Sequence, residues 1–123
     1  MSSVGEFIGT LFHSGTLTHI MHLQAKAQGA YARHIALGEY YQEIIDLADS
    51  LAEDIQGLTG ELISGYPQMY AATDVEPLQY LLNMQAYVKD NRDGLPADSE
   101  IQNDVDEIAT LINHTIYKLK FLA

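Results

Sequence analysis

Cysteine and tryptophan are both absent from this 123-residue chain, proline occurs three times, and only six residues are Lys or Arg. Without cysteine there is no disulfide framework, no thiolate metal site and no cysteine nucleophile. That fits the cytosol as compartment. Six cations, Lys26, Arg33, Lys89, Arg92, Lys118 and Lys120, stand against 17 acids and leave a formal charge of −11, so most of the surface repels nucleic-acid phosphates. Apolar stretches are broken by His, Gln, Asp or Glu well before the ~18 residues of a membrane span. The start of the chain also has no basic region followed by an apolar run, so the expectation is a soluble protein without a secretion signal.

What is present is a single domain, residues 1–123, with 47% hydrophobic residues, enough for one ordinary core. Much of the acidic surplus is expected to be a solvated surface, with part of it available to line a route for cations.

The hydrophobic spacing predicts four helices. The second has the clearest pattern: His34, Leu37, Tyr41, Ile44, Ala48, Leu51, Ile55 and Leu58 alternate by three and four, closing on Gly57 and Gly60. Before it, Val4, Phe7, Ile8, Leu11, Leu17, Ile20 and Met21 predict a first helix to about Ala27. Its stripe changes phase at Gly15, which suggests a bend, and Gly29 makes the turn. Gly65, Pro67, Thr73 and Pro77 mark a connection of about fifteen residues. Pro77 then opens a third helix through Leu78, Leu81, Leu82, Gln85 and Val88 to Asp93-Gly94. Asp98 or Ser99 caps a fourth, with Ile101, Val105, Ile108, Ile112, Thr115 and Leu119 inward. Four helices with one long connection between the second and third predict an all-α, ferritin-like up-down-down-up bundle.

Candidate chemistry lies in His22, His34, Asp49 and Glu53, spaced H-x11-H-x14-D-x3-E. Imidazole nitrogen and carboxylate oxygen together suit Fe(II). Taken singly, a boundary histidine and a D-x3-E pair in so acidic a chain are ordinary features. Helical phase puts Asp49 and Glu53 roughly 120° to 160° from the centre of their own helix's apolar stripe, so the four can share a metal only if a second subunit brings its helix alongside. No Glu is followed by His at the third position, which removes the Glu-x-x-His site built inside one bundle. His19, three residues before His22, is read as a core or polar-contact residue in preference to a ligand. Tyr66, Tyr70, Tyr80, Tyr87 and Tyr117 are read as packing residues, and Met21, Met69 and Met84 as core filler.

The stretch from His22 to Gly57, with His22, His34 and DLADSLAEDI around Asp49 and Glu53, resembles the Dps-type mini-ferritins, and YARHIALGEYYQEIIDLADSLAEDIQG resembles short Dps-like proteins of tailed phages. The resemblance is strong over the first two helices and extends to the last two only by pattern and order. It implies an intersubunit iron site in which His22 and His34 come from one subunit and Asp49 and Glu53 from its two-fold mate. It further implies ferroxidase chemistry with peroxide or oxygen, storage of Fe(III) mineral, and a homo-oligomer, at least a two-fold dimer and in the family a dodecamer. Leu23 stands where the family carries Trp; Tyr31, Tyr40 and Tyr41 are aromatic substitutes, with His19 and Tyr31 as accessory residues. The basic DNA-holding tail is missing, so nucleic acid is not an expected partner. The reading from another class is an oligomeric structural or interaction protein, phage-encoded in host cytoplasm or virion, with a vestigial metal site.

Overall fold

The computed structural model describes residues 3–69 and 75–123. Four α-helices form a bundle: α1 Val4–Gln24, α2 Ala30–Thr59, α3 Pro77–Asn91 and α4 Ser99–Phe121. Tyr70 and Thr73 lie outside the described residues. No described residue is in a strand, and no helix among them is long and apolar enough to cross a membrane.

Each helix begins and ends for local reasons. The Ser3 hydroxyl accepts the Glu6 N–H at the start of α1. Ala27 and Gly29, both at positive φ, reverse the chain into α2, and Gly60 at φ +74 closes that helix with its N–H on the Gln56 carbonyl, a left-handed cap natural to glycine. Pro77 occupies the first turn of α3, where its missing N–H costs nothing, while the Glu76 carboxylate accepts from Leu78 and Gln79 N–H. A short 3-10 turn, Arg92–Gly94, ends α3, and Asp98 precedes α4.

The core stripes largely follow the spacing. Leu37, Ile44, Ala48, Leu51 and Ile55 are buried on α2, and Ile101, Val105, Ile108, Ile112, Thr115 and Leu119 on α4. There are departures. On α2 it is Tyr40 that is fully buried, while Tyr41 is half-buried. α1 runs without interruption through Gly15 and stops at Gln24, earlier than Ala27. A Cβ on Gly15 would touch Ile44 at 3.2 Å and Ile45 at 3.5 Å, so that glycine permits close α1–α2 packing. On α3 the inward residues are Leu81, Met84 and Val88, with Leu82 and Gln85 exposed. Met69 is exposed too, unlike Met21 and Met84.

α2 packs against both α1 and α4, and α3 lies on α4 and touches α1. Lys118 of α4 pairs with Glu39 of α2, and Asp104 faces Asp54, so these two helices run antiparallel. Residues 60–76 join α2 to α3. The described part passes along α1, Ser64 and Gly65 against Gly5 and Pro67 against Gly9. Val75 and Pro77 then sit with Met21 and Leu37, beside the α1–α2 turn.

Candidate functional site

The four predicted residues divide into two places. His22, near the end of α1, and His34, in the second turn of α2, lie face to face with ring centroids 3.6 Å apart and planes 18° from parallel. Each Nδ1 bonds the backbone carbonyl of the other residue: His22 Nδ1 to His34 O at 2.6 Å, His34 Nδ1 to His22 O at 2.8 Å. A carbonyl oxygen only accepts, so both Nδ1 atoms carry the proton. In the neutral rings both Nε2 atoms therefore keep the lone pair a metal needs, the arrangement in which a second partner sets a ligand's tautomer and orientation.

Gly38 makes the stack possible. It is one turn beyond His34, and a Cβ there would stand 3.0 Å from His22 Cε1 and 3.1 Å from its Nδ1. One further step along the same face, Tyr41 lies flat on His19, 4.0 Å between centroids and 5° between planes, and meets His22 edgewise at 5.3 Å and 59°. The α1–α2 seam thus carries a continuous group of four rings. His19 is exposed and takes part through Tyr41. Tyr31 stands elsewhere, 79% exposed in a groove between α2 and α4. The place of Tyr41 was readable in principle: 34, 38 and 41 follow i, i+4, i+7, which sets Tyr41 beside His34 across a glycine.

Asp49 and Glu53 sit farther down α2, exposed and adjacent at i, i+4. Fifteen residues of helix separate His34 from Asp49 and nineteen separate it from Glu53, about 22 and 28 Å at ~1.5 Å per residue. Among the described residues no group of three or more His, Asp or Glu gathers to hold a metal within one chain. Neither carboxylate makes a hydrogen bond or ion pair with another described residue. Gln42 and Ile45, also exposed, share their side of α2.

Other titratable groups lie away from the ring cluster. His114 lines a shallow groove with Glu43, Asp106 and Glu107. Nearby, burial pushes the Asp104 carboxyl up to about 6, helped by the facing carboxyl of Asp54 and by Glu107 and Glu100. Its Oδ2 is closed off from solvent, with no hydrogen-bond partner among the described residues. Burial also raises the Tyr40 hydroxyl well above its ordinary value, against the hydrogen bond it shares with Ser14 at 2.7 Å.

Residues 22–119 match the model of a family of unknown function, DUF5856. No curated protein and no solved structure matches the chain.

Proposed function

Since the chain belongs to DUF5856, whose function is unknown, its activity is argued from its own side chains, and we propose that it is a ferritin-like subunit of Dps-type mini-ferritin character. In this reading it binds Fe(II) and oxidises it with peroxide or oxygen at a site between two subunits. The observation that carries the proposal is the reciprocal pair of Nδ1 bonds on His22 and His34, which turns two imidazoles into preset Nε2 ligands. The connection running beside α1 and the start of α3 at the α1–α2 turn support the long crossover of a ferritin-like bundle.

The site is completed by an antiparallel two-fold pairing of α2. An axis crossing the helix between Tyr41 and Ile44 sets His34 of one copy opposite Asp49 and Glu53 of the other, and puts exposed Gln42 and Ile45 at the contact. The donor set fits the substrate: two imidazoles and two carboxylates without a partner among the described residues suit Fe(II), and carboxylate oxygen suits the harder Fe(III) product. Two Fe(II) ions each give up one electron. Peroxide accepts both electrons with two protons, its O–O bond breaks, and two waters leave. The acidic surface, at net −11, draws Fe(II) inward and opposes DNA as a partner. We place the protein in the cytoplasm, where Fe(II) is available.

Anaerobic Fe(II) titration followed by peroxide tests the proposal. Stoichiometric binding and ferric absorbance are expected, with Glu53→Ala abolishing both while leaving helicity nearly unchanged. A wild-type protein that neither binds stoichiometrically nor develops ferric absorbance refutes it. That result would favour a second reading, supported by the same geometry: the stacked histidines act as a metal-free clamp between α1 and α2 in an oligomeric structural protein.

A further inference from the structure

Where α2 begins and α4 ends, the surface is more apolar than the composition suggests. Tyr31, Ala32, Ile35 and Leu122, with the stem of Lys118, line a groove of about 310 Å³. Beside it Tyr117 and Phe121 pack ring to ring, 5.7 Å between centroids, on the last turns of α4. Tyr31 is 79% exposed, Phe121 65%, Leu122 57% and Tyr117 54%. Aromatic side chains cover ~150–250 Å² each, so these leave on the order of 500 Å² of apolar surface bare, beyond the few hundred Å² usual on a monomer.

Charge helps to identify what covers it. Four of the six cations, Arg33, Lys118 and Lys120 in these terminal turns and Lys26 in the connection just before α2, lie at this end, which makes this the least repulsive approach for another copy of a −11 chain. Three of the four are already engaged. Arg33 donates to the Gln28 and Lys26 carbonyls, Lys118 pairs with Glu39, and the Lys120 ammonium lies 5.5 Å over Phe121. Few free cations remain to recognise phosphate, so the surface is suited to apolar contact with a protein.

We propose that this end is a contact between two copies of the chain, related by a two-fold axis, with Tyr117 and Phe121 of each copy seated in the groove of the other. A groove and a projecting aromatic pair side by side on one surface are what an isologous contact requires. About 500 Å² of apolar centre with a rim of Lys118, Lys120 and Glu39 approaches the ~800 Å² per partner of an ordinary stable interface. The contact does not rest on the iron reading, because its projecting rings, Tyr117 and Phe121, are on α4 and the histidine pair is left untouched; on α2, Tyr31 and Ile35 share the face of Asp49 and Glu53.

Light scattering of the full chain over a wide concentration series, in the absence of metal, tests it. Phe121→Glu and Tyr117→Ser should each weaken one association step by about tenfold or more, while Leu62→Ser, an 84% exposed apolar residue beyond the C-terminal end of α2, should leave every step unchanged. Circular dichroism should show both contact variants folded, since neither residue is buried. A wild-type chain monomeric throughout, or the same mass in wild type, Phe121→Glu and Tyr117→Ser, overturns the proposal. So does a monomeric chain that binds phosphatidylglycerol-containing phosphatidylcholine vesicles through Phe121, which would make the end a lipid-binding surface. Ile45→Glu, at the α2 pairing that the iron site needs, should remove a step that the α4 variants leave in place, so the two contacts fail independently.

Discussion

Glycine-to-alanine substitution should change stability in opposite directions at Gly5 and Gly57, and the comparison isolates how the connection between α2 and α3 is held. Both residues are helical, Gly5 in the first turn of α1 and Gly57 in the last turn of α2, where alanine is favoured over glycine by at most the roughly 0.8–1 kcal/mol of a helix interior. At Gly57 nothing lies within 4 Å of an added Cβ, so Gly57→Ala should keep most of that gain, on the order of 0.5–1 kcal/mol, or ~2–5 °C in Tm for a domain of this size. At Gly5 the added Cβ would fall well inside contact distance of the Ser64 carbonyl oxygen and 2.9 Å from the Gly65 carbonyl carbon. Those atoms are backbone and cannot rotate away, so the connection must lift from α1. Overpacking of this kind costs typically 1–3 kcal/mol, which exceeds the propensity gain and leaves Gly5→Ala destabilised by about 1–2 kcal/mol. Urea and thermal unfolding of the two variants, followed by circular dichroism, measure the difference. If Gly5→Ala is as stable as Gly57→Ala, the connection is not seated on α1 and the reasoning fails.

Gly38→Ala should push the His22 ring off His34 and lower Fe(II) affinity about tenfold or more without loss of helicity; unchanged titration would separate the ring stack from metal binding. Asp104→Asn tests the carboxyl facing Asp54. A carboxyl raised to about 6 in the folded chain contributes stability that is fully present below its unfolded value near 4 and is lost as pH rises through 6. The asparagine variant should therefore match wild type at pH 4 and exceed it at pH 7.5. The gain should be under ~1 kcal/mol, because much of the side chain remains open to screening water, and equal stability at both pH values would refute the assignment. Tyr40→Phe removes a buried hydroxyl from Ser14 and should cost about 1 kcal/mol in chemical denaturation.

The bundle was legible because its stripes are long. Thirty residues of α2 and twenty-three of α4 repeat the three-four spacing often enough to fix the inward face. Where an element is short or crowded with aromatics, spacing alone is ambiguous. Tyr40 and Tyr41 are equally good core candidates by pattern, and tertiary context decides: Ser14 takes the hydroxyl of the first, and His19 the ring of the second. A bend was expected at Gly15 because the apolar stripe of α1 changes phase there, whereas the helix runs through and the glycine admits Ile44 and Ile45. At the candidate site, the exposure of Asp49 and Glu53 followed from helical phase. The His22–His34 stack did not, because it depends on the path of a five-residue turn and on a glycine four positions away.

That turn also bears on the order in which the molecule forms. The two bonds between His22 and His34 span only twelve residues of chain, so they close a small loop at little entropic cost, and the α1–α2 hairpin around them consists of contacts close in sequence. Local contacts of this kind form early in folding. On the nascent chain the imidazole pair is therefore expected to exist before α3 and α4 are available to pack, and long before a second copy can be met. Under the iron reading proposed above, each polypeptide would leave synthesis with one half of its site formed.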